Sequence, residues 1–160
     1  MTRILGVDPG FERLGIAILE KLPKNKKEVV VFSTCFKTSS KLNFEERLFL
    51  IGEEIKNIIE KYKPEILSIE TLFLNTNQKT VMRVAETRGV IIYEAKRANL
   101  KIFEATPLQI KVAITGYGRA DKTQIMKMVK ILVDLEQNKT SDDELDAIAI
   151  SLTAFANTKK

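Results

Sequence analysis

The order of two hydrophobic periodicities along the chain constrains its fold more than any other feature. Five short apolar runs have the length of strands: 4–8, 14–19, 29–36, 66–70 and 101–104. Longer stretches keep the three- and four-residue spacing of amphipathic helices: 44–62, 77–98, and the chain beyond Pro107 with breaks at 116–118 and 138–141. The predicted order is β-β-β-α-β-α-β-α-α, which indicates an α/β domain.

The first two predicted strands are separated only by a short turn that contains Pro9-Gly10, so the chain should open with an antiparallel hairpin. The third strand extends it to a meander, and the later strands complete a five-stranded mixed sheet flanked by helices. A chain of 160 residues, 44% of them hydrophobic, can bury one core without disulfides. We expect a single domain over 1–157 and a short basic tail at 158–160.

The chain contains no histidine, which excludes Ser-His and Cys-His nucleophilic pairs and every histidine zinc site. Its single cysteine, Cys35, excludes an internal disulfide and a cysteine-rich zinc site. A catalytic metal would therefore be bound by oxygen ligands, which favours magnesium or manganese.

The net charge of +5 agrees with a nucleic-acid partner but does not establish one. No apolar run is long enough to span a membrane, we expect no signal peptide from the first residues, and one cysteine suits a reducing compartment. We expect a cytoplasmic protein.

Two acidic residues, Asp8 and Glu70, each end an apolar strand, where open α/β sheets characteristically bind their ligands. If the two strands are neighbours, their ends lie about 5 Å apart. Two carboxylates at that separation repel each other, so the pair needs a cation or a proton. Taken singly, either acid could equally end its strand at a solvated turn.

Two further acids, Asp143 and Asp146, lie at a predicted helix start, where Ser141 and Glu144 match a capping box. Three residues apart, they share one helix face. Acids at a helix start are also favoured by the helix dipole alone, but Asp146 lies in an otherwise apolar segment, where an unpaired charge is costly. Together the four acids form the ligand set expected for two divalent ions.

Six short motifs are spread over nearly the whole length of the chain. The opening motif and the segment around the second acid are Gly6-Val7-Asp8-Pro9-Gly10 with Gly15, and Ile69-Glu70-Thr71-Leu72-Phe73. The remaining motifs are Glu86-Thr87-Arg88-Gly89, Thr106-Pro107 through Lys111, Gly116 through Lys122, and Asp143-Glu144-Leu145-Asp146-Ala147. In their sequence and in their order, these motifs resemble those of the RuvC Holliday-junction resolvases.

This resemblance implies an RNase H-like fold and a homodimer that makes magnesium-dependent paired nicks across four-way DNA junctions. It also implies cooperation with the RuvA and RuvB branch-migration proteins. The four acids match the family's catalytic positions, and some relatives have histidine where this chain has Asp143. Lys111 and Lys122 match family lysines near the scissile phosphate, and Phe73 matches an aromatic residue that stacks on a base.

Each of these three residues has an ordinary alternative: solvated lysines, and a core phenylalanine. Three more basic residues are candidates for phosphate contacts: Lys79, Arg83 and Arg119. The small residues Ala85 and Gly89, four apart in the second predicted helix, predict the dimer contact, with packing against the sheet as the alternative.

Three other functions are compatible with parts of the pattern. An actin-like ATPase also opens with a strand that ends in Asp, but Phe11-Glu12-Arg13 stand where its phosphate loop has small hydroxyl residues, and the chain leaves no room for its second domain. Another RNase H-like nuclease with a different branched or hybrid substrate is a closer alternative. A non-catalytic DNA-binding module would be expected to lack at least one of the four acids.

Overall fold

The computed structural model describes residues 1–22, 27–72, 78–133, 135 and 140–158. Its strands are β1 (Thr2–Asp8), β2 (Arg13–Lys21), β3 (Val29–Lys37), β4 (Ile66–Glu70) and β5 (Lys101–Ala105). Its helices are α1 (Phe44–Tyr62), α2 (Gln78–Arg97), α3 (Pro107–Thr115), α4 (Lys122–Leu132) and α5 (Asp142–Asn157).

The five strands form one mixed sheet in the order β3-β2-β1-β4-β5. The first three strands pair as an antiparallel meander, whereas β1, β4 and β5 run parallel to one another. The predicted mixed sheet with an N-terminal hairpin is thus confirmed. Because Val7 pairs with Ile69 across β1 and β4, the residues that follow them, Asp8 and Glu70, end neighbouring strands at one edge.

Side chains that alternate along the strands build two cores, one on each face of the sheet. Leu5 and Val7 of β1 pack with α1 and α2 on one face. Ile4 of β1 packs with α3, α4 and α5 on the other, which we call the α5 face. Asp8 follows the parity of Ile4, and Glu70 follows that of Ser68, whose hydroxyl donates to the Ile150 carbonyl of α5. Both acids therefore belong to the α5 face.

After β5, the described part of the chain contains three helices, one more than the predicted order contained. Gly116 ends α3 in the left-handed conformation, with φ of 73°, and Asp121 then begins α4 with a capping box. The break at 116–118 therefore separates two full helices. Capping boxes also begin α3 at Thr106 and α5 at Ser141, the second as predicted. Across the described ranges, we find no helix with the length and apolarity needed to cross a membrane.

Two glycines allow α5 to lie directly on the sheet. A Cβ atom at Gly6 would stand 2.0 Å from Ser151 Oγ and 2.3 Å from the Ala147 carbonyl oxygen. A Cβ atom at Gly15 would stand 2.1 Å from the Asp143 carbonyl oxygen. No side chain fits at either point, so the close approach of α5 to β1 and β2 depends on glycine at both positions. This approach brings the start of α5 to the edge where Asp8 and Glu70 lie.

Candidate active site

The site begins with Asp8 and Glu70, the two acids at the ends of β1 and β4. Burial raises the pKa of Asp8 to about 7, assisted by the negative charges of Asp146, Glu70 and Asp143 and opposed by Lys122. Burial also raises the pKa of Glu70, and the charge of Asp146 adds to the effect. The predicted pairing of the two strand-end acids is therefore present, and the pair is electrostatically strained.

Asp146 reaches the same edge from the first turns of α5. Burial raises its pKa, and the nearby ammonium of Lys122 offsets only part of that rise. The Lys122 Nζ donates to Asp146 Oδ2 at 3.2 Å. In turn, burial lowers the pKa of Lys122, but the charge and hydrogen bond of Asp146 together with the charges of Asp142 and Asp8 outweigh it, and the net pKa is raised. Asp146, a charged residue in an otherwise apolar segment, thus lies near the carboxylates of Asp8 and Glu70 and is hydrogen-bonded to Lys122.

Asp143, one helical turn earlier, has a different environment from the other three acids. Its Oδ2 accepts hydrogen bonds from Arg13, with Nε at 2.9 Å, and from the Cys35 thiol at 3.4 Å. Burial raises the pKa of Asp143, but these hydrogen bonds and the Arg13 charge outweigh it, so the net pKa is lowered. Asp143 is therefore a stabilised anion, whereas Asp8, Glu70 and Asp146 are destabilised ones.

We call Asp8, Glu70, Asp143 and Asp146 the acid cluster. Within the described ranges, no three acidic side chains stand close enough to hold one metal ion as they lie. Two members of the cluster are instead paired with Arg13 and Lys122. The donors are nonetheless of the right kind, because carboxylate oxygens that raise one another's pKa are relieved by a divalent cation.

An open cleft beside the acid cluster provides room for a substrate. It encloses about 370 Å³ between the strand ends and α3, α4 and α5, and both Glu70 and Asp146 line it. Lys111 from α3 and Lys122 from α4 line the same cleft. The structure therefore brings the two predicted lysines together with two of the predicted acids, although they come from four different elements.

The family model for crossover junction endodeoxyribonuclease RuvC matches residues 4–154 of this chain. The chain belongs to the RuvC family. Among the RuvC endodeoxyribonucleases it resembles is that of Halothermothrix orenii, which is 46% identical over 149 residues, or 93% of this chain and 89% of the relative. That of Caldicellulosiruptor saccharolyticus is 44% identical over 150 residues, or 94% of this chain and 90% of the relative.

A solved structure of Thermus thermophilus RuvC in complex with Holliday junction substrate superposes with a TM-score of 0.90. The two chains are 25% identical, and the match covers 97% of this chain and 93% of that one. The RuvC fold predicted from the sequence motifs is therefore confirmed.

The other predicted DNA-contacting residues of this RuvC-family chain have unequal environments. Lys79 at the start of α2 and Arg119 in the turn before α4 are exposed. Arg83 is only partly exposed, because its guanidinium lies over the rings of Phe11, at 5.5 Å, and Phe44, at 5.0 Å. Phe73 lies outside the described residues, so its stacking role stays a prediction.

Three supporting residues were not singled out from the sequence of this RuvC-family chain. Arg13 binds Asp143. The alternation of side chains along β2 could have indicated this position, because Arg13 lies two residues before Gly15 and therefore on the α5 face. Arg88 belongs to the Glu86-Thr87-Arg88-Gly89 motif, and its Nε donates to the Glu70 carbonyl at 2.9 Å. No local sequence pattern indicated a role for Phe11, because its contact with Arg83 forms only in the folded protein.

Proposed function

We propose that this chain is a metal-dependent endonuclease that resolves four-way DNA junctions by paired symmetric nicks in recombination and repair. The observation that carries the proposal is the convergence of Asp8, Glu70 and Asp146, from β1, β4 and α5, beside an open cleft in a chain of the RuvC family. The pKa of Asp8, raised to about 7 by burial and by the neighbouring acids, supports a bound cation, because a cation would stabilise the ionised carboxylate.

We propose Mg²⁺ as the cofactor, two ions at each active site, with Mn²⁺ as a substitute. The members of the acid cluster would hold the ions, because hard divalent ions prefer carboxylate oxygens. When bound, such ions supply the activation of water and the stabilisation of the leaving oxygen in phosphodiester hydrolysis. Asp8 takes the central position in this proposal, because the charges of all three other members act on it.

The two lysines of the cleft would act on the substrate and on the site itself. Lys122 orients Asp146 through its hydrogen bond and lowers the negative charge that an incoming phosphate meets. Lys111 lines the same cleft from α3, where an ammonium can contact a DNA phosphate. We therefore propose Lys111 and Lys122 as part of the catalytic machinery.

DNA outside the cleft would be held by further basic residues. Lys79 and Arg119 are exposed and suited to phosphate contacts. Arg83 combines a charge with two ring contacts, which restrict its side chain and join the start of α2 to the turn after Asp8. Phe73 would stack on a base near the crossover.

We propose a homodimer through the outer face of α2, defined by Met82, Ala85, Glu86, Gly89 and Tyr93. These residues recur at three- and four-residue steps, and all five are exposed, Met82 at 66% and Tyr93 at 61%. Among the residues that the structure describes, a Cβ atom at Gly89 would meet nothing within 4 Å, so no contact among them requires glycine at this position. A two-fold contact here would present two active sites to two equivalent strands.

RuvA and RuvB as partners and a cytoplasmic location stay predictions.

The test is to incubate the protein with a mobile four-way junction and with a linear duplex of matching sequence, each with and without Mg²⁺. Symmetric nicks in the junction alone, and only with Mg²⁺, are expected. RNA–DNA hybrids and flapped or three-way substrates form the comparison panel. Faster cleavage of any of these than of the junction would replace this proposal with the other RNase H-like nuclease.

A further inference from the structure

We propose that Arg13 competes with a divalent metal ion for Oδ2 of Asp143, so that this oxygen becomes a metal ligand only by giving up its ion pair. The inference rests on the proposed function, since it presumes that the acid cluster binds metal. The inference adds Arg13, a residue outside the acid cluster, as the group that controls how readily Asp143 can bind a metal ion.

The Arg13 guanidinium contacts a single oxygen of the Asp143 carboxylate. Both Nε and Nη2 of Arg13 donate to Oδ2 of Asp143, and the Cys35 thiol donates to the same atom. Three donors on one oxygen leave little of its lone-pair capacity for another cation. A metal ion that uses this oxygen must therefore displace the guanidinium.

The pairing of strands explains why Arg13 is available for this contact. Asp8, Gly15 and Cys35 stand in register across β1, β2 and β3, and Arg13 lies two residues from Gly15 on the same face. Because Gly15 has no side chain, the Asp143 backbone rests on β2 and its carboxylate falls between Arg13 and Cys35. The contact is thus produced by the same glycine that seats α5.

The exposure of the two partners shows which of them can leave. The Arg13 side chain is 53% exposed and the Asp143 side chain 21%. The guanidinium can therefore move into solvent, whereas Asp143 is held by the helix start. The Asp143 carboxylate therefore already has a cation bound to one of its oxygens. An ion that needs this oxygen should consequently bind more weakly than one held by Asp8, Glu70 and Asp146.

The test measures Mn²⁺ binding to the DNA-free protein by calorimetry and by the electron paramagnetic resonance of free Mn²⁺. Arg13→Gln should tighten the weaker Mn²⁺ site about two- to fivefold, the range expected when an exposed ion pair is removed. Asp143→Asn should weaken that site, and adding Arg13→Gln to Asp143→Asn should then change nothing further. Arg13→Lys, which keeps the charge but loses the two-point contact, should lie between wild type and Arg13→Gln.

Arg97→Gln is the matched control, because Arg97 is 54% exposed and paired with Glu94 at the far end of α2. It should leave Mn²⁺ binding unchanged. If Arg13→Gln binds Mn²⁺ as wild type does, or more weakly, the competition is wrong while the metal site stands. An equal gain in the Asp143→Asn background would also overturn it, since the effect would then come from net charge. If neither wild type nor Arg13→Gln binds Mn²⁺, or if Asp8→Asn leaves binding intact, the metal site of the proposed function is wrong and the competition falls with it.

Discussion

Gly15 of β2 and Asp143 of α5 touch through their main chains: a Cβ atom on Gly15 would stand 2.1 Å from the carbonyl oxygen of Asp143. The contact joins the end of the sheet that carries Asp8 to the helix that carries two other members of the acid cluster. Since that carbonyl is backbone, it cannot rotate away as a flexible side chain would. Any side chain at position 15 must therefore push the start of α5 from the sheet.

The first prediction is that Gly15→Ala lowers nicking at least tenfold and destabilises the protein by about 1 to 3 kcal/mol, the usual cost of an added methyl group in a packed site. Nicking of a four-way junction and urea denaturation measure the two effects. Gly52→Ala is the control, because its Cβ would stand 3.2 Å from a Val90 side-chain methyl on the other face of the sheet. Equal nicking by both variants would show that the seating of α5 does not matter for the chemistry.

The second prediction separates DNA binding from chemistry. Asp8→Asn and Glu70→Gln should each slow nicking in Mg²⁺ about 100- to 1,000-fold, because each removes a ligand that fixes charge at the reacting phosphate. Junction affinity in EDTA should stay equal or rise slightly, since the change removes a negative charge that repels DNA. Asp8 should be the least tolerant position, and Asp143, already paired with Arg13, the most tolerant. Nicking near the wild-type rate by either variant would exclude the two-metal site.

The third prediction concerns stability against pH in EDTA. The pKa of Asp8 is raised from 3.8 to about 7 in the folded protein, so the native state binds this proton more tightly than the unfolded chain does. The stability contributed by the protonated group is present at low pH and is lost as the pH rises from about 4 to 7. The full difference corresponds to about 4 kcal/mol.

Asp8→Asn should therefore stabilise the metal-free protein by a few kcal/mol at pH 8 and by little at pH 4, as measured by urea denaturation. Glu53→Gln removes the same charge beside Lys56 on α1 and should leave the wild-type pH dependence in place. Equal stabilisation by Asp8→Asn at both pH values would argue against a raised pKa at Asp8.

The fourth prediction tests the ring contacts of Arg83. Arg83→Lys keeps the charge but loses the contacts of the guanidinium with the rings of Phe11 and Phe44, contacts worth about 0.5 to 1 kcal/mol each at exposed sites. Nicking should fall about three- to tenfold while junction affinity hardly changes, because α2 loses its attachment to the turn after Asp8. Lys79→Gln should do the reverse, weakening affinity without a comparable loss of turnover on bound junction. Normal nicking by the Arg83→Lys variant would reduce Arg83 to a phosphate contact.

The fifth prediction is that Gly89→Arg abolishes the dimer without unfolding the protomer, because the space around Gly89 is open. Sedimentation at micromolar concentration should show a monomer, and junctions should be nicked on one strand at a time. Ala156→Arg, on the exposed end of α5 across the sheet, is the control and should remain dimeric. A wild-type monomer that nicks both strands symmetrically would contradict the predicted contact.

The sequence alone determined the elements of the sheet and the identity of the acids. Apolar periodicity is a local property, so β1 and β4 could be recognised from short runs, and Asp8 and Glu70 from their positions at strand ends. The capping box at Ser141 was equally local. The predicted order contained two helices after β5 and was wrong by one, although the two predicted breaks, at 116–118 and 138–141, coincide with the ends of the additional helix α4.

The ion-pair partners of those acids could be found only from the tertiary structure. Asp143 and Arg13 are 130 residues apart in sequence, and their ion pair exists because strand register and the Gly15 contact bring α5 onto β2. Arg83 contacts the Phe11 ring for a similar reason, since the start of α2 meets the turn after β1 only in the folded sheet. Spacing along a chain specifies which face a side chain occupies, but contacts between distant segments depend on how whole elements pack, and no local pattern encodes that packing.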